Sequence, residues 1–176
     1  MVLGPVRGVV VMGVSGCGKS TVGALLAARW NARFVDADDL HPASNVAKMS
    51  AGEPLTDADR APWLRRTGEV IAEAADAGRA VVVACSALRR TYRDMLRDGA
   101  GGDVAFVHLT ADRELIVERT TARTDHFMPP ALLDSQLATL EPLASDETGT
   151  TVDVSSAPET VVDRVAAWSA RVPGVR

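Results

Sequence analysis

Cysteine is scarce in this sequence. Only Cys17 and Cys85 occur in 176 residues, far apart and without metal-ligand spacing. That excludes a disulfide framework and predicts a reducing compartment. Aromatic residues make up 4% of the chain, so the core must rest on Ala, Val and Leu. Basic residues are not in excess. The net charge of −4 argues against general binding to a nucleic-acid backbone and leaves room only for a local basic pocket. Long apolar runs are missing as well. The longest are strand-sized, which excludes a transmembrane helix. "MVLGPVRG" lacks a charged start followed by a long apolar core, so no signal peptide is expected and the setting reads as cytoplasmic. There is no repeat, low-complexity tract or long linker, and 176 residues suit one domain with a sizeable core.

What is present alternates. "VVVM" (Val9 to Met12), "ARFVDA", "RAVVVACS", "VAFVHL" and "GTTVDVS" read as five short strands. Between them lie segments of helical spacing: "STVGALLAARW", the stretch after Thr56, "ALRRTYRDMLRD" from Ser86, a helix opened by Asp112 and carrying Arg119 and Arg123, Ala131 to Leu140, and Pro158 to about Arg171. Thr56 looks like an N-cap and Gly78 a C-terminal stop. Such alternation predicts an α/β fold, a parallel sheet covered by helices on both faces, with right-handed crossovers. Two interruptions adjoin strand ends, where open α/β sheets bind ligands: an insert over 38–78 and a lid-like segment over 119–130.

Gly13 to Ser20 matches G-x-x-x-x-G-K-[ST] between a strand and a helix. The glycines let backbone N–H groups of Gly13, Val14, Ser15, Gly16, Cys17 and Gly18 converge on phosphate oxygens, and the helix start adds partial positive charge. Lys19 reaches the β- and γ-phosphates of a triphosphate, and the Ser20 hydroxyl, followed by Thr21, suits Mg²⁺. Cys17 reads as a variable loop position without redox chemistry.

In "FVDADDLHP", Asp36 and Asp38 lie two apart at a strand end, where side chains share a side. Two carboxylates beside a phosphate loop repel unless a cation or a substrate hydroxyl separates them. Asp36 is therefore assigned to Mg²⁺ or its water, and Asp38 to the attacking hydroxyl, since phosphoryl transfer needs positioning and charge neutralisation. Asp39 points away. His41, Lys48 and Arg60 are candidates for holding the acceptor, the two cations through an anionic group, and Ser86 for touching it at the third strand exit. "PWL" at Pro62 to Leu64 reads as packing. Arg119 and Arg123, four apart on one helix face, are candidates to clamp the transferring phosphoryl group and exclude water. Arg113 falls on a different face. Arg89, Arg90, Arg93 and Arg97 read mostly as solvated charges pairing with Asp94 and Asp98.

Four segments together resemble the P-loop gluconokinases: "GVSGCGKSTVG", "DADDLHPASNVAKMSAGEPLTDADRAPWL", "CSALRRTYRDMLR" and "HFMPPALLDSQLATLEPL". The wider relatives are shikimate kinase and the nucleoside monophosphate kinases. The resemblance implies a three-layer P-loop kinase fold with a five-stranded parallel sheet and a lid, usually as a homodimer. It implies ATP-dependent phosphorylation of D-gluconate at its 6-hydroxyl, with Mg²⁺, giving 6-phosphogluconate and ADP. Carried onto this chain, Gly13 to Thr21 bind the ATP phosphates, Asp38 meets the acceptor hydroxyl, and Arg119, Arg123 and His126 come from the lid. Two positions depart from the family pattern: Ala37 stands where a glycine is usual, and Leu143 where a second proline is frequent. The alanine methyl is expected to crowd the backbone near Asp38.

Two other functions compete. One is a kinase for another small hydroxy acid or a nucleotide, although "CSALRR" stands where shikimate kinases carry a glycine-rich pattern. The other is a catalytically silent nucleotide-binding module, which would be free to lose Lys19 or the Asp36/Asp38 pair.

Overall fold

The four-residue runs "VVVM" and "VVVA" are too short for helices and too apolar to leave a face in water. In the computed structural model, which describes residues 6–122 and 130–175, they form β1 (Val9–Met12) and β3 (Val81–Ala84), buried at every position. With β2 (Arg33–Asp36), β4 (Ala105–Thr110) and β5 (Gly149–Asp153) they make a five-stranded sheet in the order β2-β3-β1-β4-β5. Every pairing is parallel, with Val10 opposite Val83 on one side and Phe106 on the other.

The pleat sorts each strand into two cores. Val9 and Val11 join Val22 and Leu26 of α1 (Lys19–Arg29) and Val161 and Val165 of α7 (Pro158–Ser169). Val10 and Met12 join Leu64 and Ile71 of α3 (Asp57–Asp76) and Leu96 of α4 (Arg90–Ala100). A 3₁₀ turn (Ala37–Leu40) and α2 (Ala43–Ser50) connect β2 to α3, while α5 (Arg113–Thr121) and α6 (Pro130–Thr139) lie between β4 and β5. Among the described residues no helix is long and apolar enough to cross a membrane.

Helices α3 and α4 touch backbone to backbone. A Cβ on Gly68 would lie 2.4 Å from the Leu96 carbonyl oxygen, and one on Gly99 2.5 Å from that of Arg65. This contact brings the start of α3 against the segment entering α4. Thr56 caps the α3 start, as the sequence predicts, in a reciprocal capping box with Asp59, and Gly78, at φ +66°, follows its end.

The helix predicted from Ser86 begins instead at Arg90. The cause is Arg93. Its side chain is fully buried and donates to the carbonyls of Ala87, Leu88 and Glu141, so residues 86–89 stay out of the helix, with Ala87 at φ +45°. The reading of Arg93 as a solvated charge is thereby overturned. It pairs with buried Glu147 through Nε (2.8 Å) and Nη2 (2.9 Å), and Arg97 joins the same carboxylate at 2.8 Å. Burial disfavours charge on Glu147, but the Arg93 hydrogen bond, the Ala144 amide and Arg97 outweigh it and hold its pKa at about 2. Arg90 is half-buried and pairs with Asp94 and Asp146.

Candidate active site

The C-terminal ends of β1, β2 and β3 meet where the chain crosses from one side of the sheet to the other, the usual crevice for a ligand. The Gly13 amide donates to the Ser86 carbonyl at 3.2 Å, so the phosphate loop and the β3 exit share one wall. Gly13, Gly16 and Gly18 have φ of +141°, +85° and +93°, left-handed values that a side chain would strain. Helix α1 starts from Gly18 with no side-chain cap and no acidic residue in its first turn. Among the described residues no side chain caps its first amides, as an anion site requires. Lys19 Nζ donates to the Val14 carbonyl at 3.1 Å, folded back along the loop it serves. Cys17 is buried, and burial raises its thiol pKa despite nearby Lys19, consistent with a thiol that does no redox work.

Strand β2 stops at Asp36 and the chain turns at once. Asp36 Oδ1 accepts the Asp38 amide at 3.0 Å, capping the 3₁₀ turn, while Oδ2 accepts the Ser20 hydroxyl at 2.9 Å. It is thus the turn, not strand alternation, that sets Asp38 beside Asp36. Among the described residues no three His, Cys, Asp or Glu side chains gather as a metal centre. The Ser20 and Asp36 oxygens are nevertheless hard donors that fit Mg²⁺, which takes one or two protein oxygens and completes its shell with phosphate and water. The Asp38 carboxylate is left without a side-chain partner among the described residues. Lost hydration in the cleft, with the Asp36 charge next, raises its pKa, against the pull of Lys19.

The segment after the 3₁₀ turn is organised around Trp63, which the sequence reading assigned to packing. Its indole N–H donates to the Ala37 carbonyl at 2.6 Å, and its ring stacks on His41 with centroids 4.1 Å apart. The Asn45 amide nitrogen lies 3.3 Å from His41 Nδ1 and donates to the Asp59 carbonyl at 2.9 Å. An amide nitrogen only donates, so Nδ1 accepts and Nε2 carries the proton. Burial lowers the His41 pKa against the pull of Asp38, and Arg60 lowers it further. Ala37 is fully buried in the apolar cluster around Trp63 and needs no left-handed φ, so its methyl packs away from the cleft. Leu143 packs against the same cluster. Lys48 is held by both oxygens of Asp59, at 2.9 and 2.8 Å, and Arg60 donates to the Leu55 carbonyl at 2.6 Å.

Two features escaped the sequence reading. Gln136 of α6 grips the loop tip: its Oε1 accepts the Ser15 amide at 2.7 Å, and its Nε2 donates to the Ser15 hydroxyl at 3.1 Å. It stands in the quoted "SQ" pair, but a lone glutamine carries no spacing signal. Next to the loop, Gly16, Gly18, Thr21, Arg119, Val154 and Pro158 line a cavity of about 390 Å³. Arg119 closes one side by donating to the Val154 carbonyl at 2.6 Å. Arg123 and His126 lie outside the described residues.

A phosphate loop, a carboxylate and hydroxyl pair and a largely apolar cavity sit side by side. Residues 15–169 match the family model described as Shikimate kinase. The gluconokinase of Gluconobacter oxydans is 46% identical over 159 residues, 90% of this chain and 89% of that protein. The thermosensitive gluconokinase of Escherichia coli is 46% identical over 138 residues, 78% of this chain and 73% of that one. The chain belongs to the gluconokinase branch of the shikimate kinase family. The crystal structure of a gluconokinase from Sinorhizobium meliloti superposes with a TM-score of 0.83 at 47% identity, covering 93% of this chain and 91% of that one.

Proposed function

We propose that the protein is a gluconokinase, transferring the γ-phosphoryl group of ATP to the 6-hydroxyl of D-gluconate and releasing 6-phosphogluconate and ADP. The observation that carries this reading is the 46% identity to a gluconokinase across 90% of the chain.

The residues divide the work as follows. The loop amides and Lys19 hold the β- and γ-phosphates, and the cavity beside Arg119 takes the nucleoside end. Ser20 and Asp36 hold Mg²⁺, which would supply charge neutralisation on the phosphate oxygens. Asp38 accepts the hydrogen bond of the 6-hydroxyl, aims its oxygen at the γ-phosphorus and takes up its proton as the bond forms. A raised pKa brings that carboxylate closer to the working pH and makes it a better proton acceptor. His41 orients the sugar through Nε2, Arg60 and Ser86 complete the acceptor wall, which Lys48 braces through Asp59, Arg119 binds the nucleotide from its cavity, and Arg123 and His126 close over the transferring group. The reading carries with it the family's homodimeric assembly and a cytoplasmic setting.

The test is ADP release with ATP and Mg²⁺ across gluconate, shikimate, other sugar acids and nucleoside monophosphates. Gluconate turnover with a primary phosphate ester as product supports the reading. Turnover of shikimate or a nucleotide in place of gluconate would overturn it, as would tight ATP binding with no acceptor phosphorylated.

A further inference from the structure

Most cations near the cleft are already neutralised. Lys48 is chelated by Asp59 at 2.9 and 2.8 Å, and Arg93 and Arg97 by Glu147. Arg60 and Arg89 differ. They come from α3 and from the loop after β3, and they flank one ring: each guanidinium carbon lies 5.8 Å from the centroid of Tyr92. They share one carboxylate, Asp57, at 3.7 and 3.4 Å, both longer than a charge-assisted hydrogen bond. Asp57 is better engaged elsewhere, since its Oδ1 accepts the Tyr92 hydroxyl at 2.6 Å and it stands in the first turn of α3. Two cations against one anion leave the cluster one positive charge in excess. Tyr92 is buried at the root of the cluster, while both arginines keep part of their surface open to solvent.

The position of this cluster suits an elongated acid. The His41 amide donates to the Asp38 carbonyl at 3.4 Å, its ring stacks on Trp63 of α3, and Asn45 ties it to the Asp59 carbonyl next to Arg60. Arg89 stands three residues beyond Ser86, whose carbonyl meets the phosphate loop. A polar track thus runs from Asp38, through His41, to the two guanidiniums.

We propose that Arg60 and Arg89 form the carboxylate-binding end of the acceptor site, taking the C1 carboxylate of the sugar acid between them over Tyr92 while Asp38 meets the hydroxyl at the other end. The inference rests on the gluconokinase reading above. Asp57 is the internal counter-ion, and it competes weakly with the acid for the two arginines. Lys48, closed by Asp59, is a scaffold residue joining α2 to α3. Specificity for an acid over a neutral polyol then comes from two buried-edge cations that only a carboxylate satisfies.

The experiment compares gluconate with sorbitol, which has the same six-carbon chain but no carboxylate. In Arg89→Ala the KM for gluconate should rise at least about tenfold, the loss expected for a hydrogen bond to a charged group. The KM for ATP and the kcat/KM for sorbitol should not move, and Arg89→Lys should restore part of the loss. Asp57→Asn should lower the KM for gluconate by removing the competing anion, a direction that a purely structural role does not produce. An unchanged gluconate KM in Arg89→Ala, or an equal loss with sorbitol, overturns this inference and leaves the gluconokinase reading intact. A rise in gluconate KM in Asp57→Asn overturns the counter-ion role. A wild-type enzyme that ignores gluconate overturns both readings, and that control is read before any variant.

Discussion

Asp36 and Asp38 are the same residue type two positions apart, and their surroundings separate them. Asp36 is engaged twice, by the Ser20 hydroxyl and the Asp38 amide, whereas Asp38 faces the cleft with a raised pKa. Asp38→Asn is expected to lower kcat at least about a hundredfold, in keeping with lost general-base assistance, while ATP affinity stays the same. Equal loss of ATP binding, measured by calorimetry, would show the role to be misassigned. Because only the ionised carboxylate accepts the proton, the acid limb of the wild-type rate profile should fall above the ordinary aspartate value of 3.8, and it should disappear in the variant. Glu147 shows the opposite shift. Its pKa is depressed from 4.5 to about 2 in the folded protein, so its contribution to stability is complete above 4.5 and drains away as pH falls toward 2. Glu147→Gln leaves Arg93 buried without its charge partner and should cost roughly 3–5 kcal/mol at neutral pH. The gap to wild type should narrow in urea melts taken through that acid window.

Between elements, two contacts hold the cleft in shape. Gly68 on α3 and Gly99 on α4 let the helices meet at backbone distance, which sets Asp57 against Tyr92 and Arg89. Alanine normally favours a helix over glycine by about 1 kcal/mol. At Gly68 the clash with the Leu96 carbonyl and the Ala100 amide should outweigh that gain, and Gly68→Ala is expected to lose roughly 1–3 kcal/mol in thermal or chemical melts. A more stable variant would mean that the helices part easily. The second contact is Gln136 of α6 on Ser15. Gln136→Ala should raise the KM for ATP about tenfold through two lost hydrogen bonds and leave the gluconate KM and the melting temperature near wild type. A change confined to gluconate would place Gln136 on the acceptor side instead.

Across the whole molecule, the ligand sites lie at the C-terminal ends of the strands, so occupancy should brace strands, loop and helices together. ATP at about a hundred times its Kd should stabilise by about 2.7 kcal/mol, a melting shift of roughly 5–10 °C for a chain of this size, and Lys19→Ala should lose most of it. No shift in the wild type would contradict the phosphate cradle. The alternation of elements, the five parallel strands and the loop over Gly13–Thr21 were all legible in the chain, because short apolar runs, glycine-rich turns and a lysine at set spacing are local signals. The nearness of Asp36 and Asp38 follows from their spacing, but a 3₁₀ turn rather than strand alternation produces it. Burial of Arg93 against Glu147, the Trp63–His41 stack, the Gln136 grip on Ser15 and the reach of Arg89 to Asp57 join residues 22 to 121 positions apart. Local chemistry set the strands, the helices and the phosphate loop. Which arginine is buried, which is neutralised and which stays open to an acid depended on the carboxylates that folding carried to each one, because a charge takes its role from its neighbours in space.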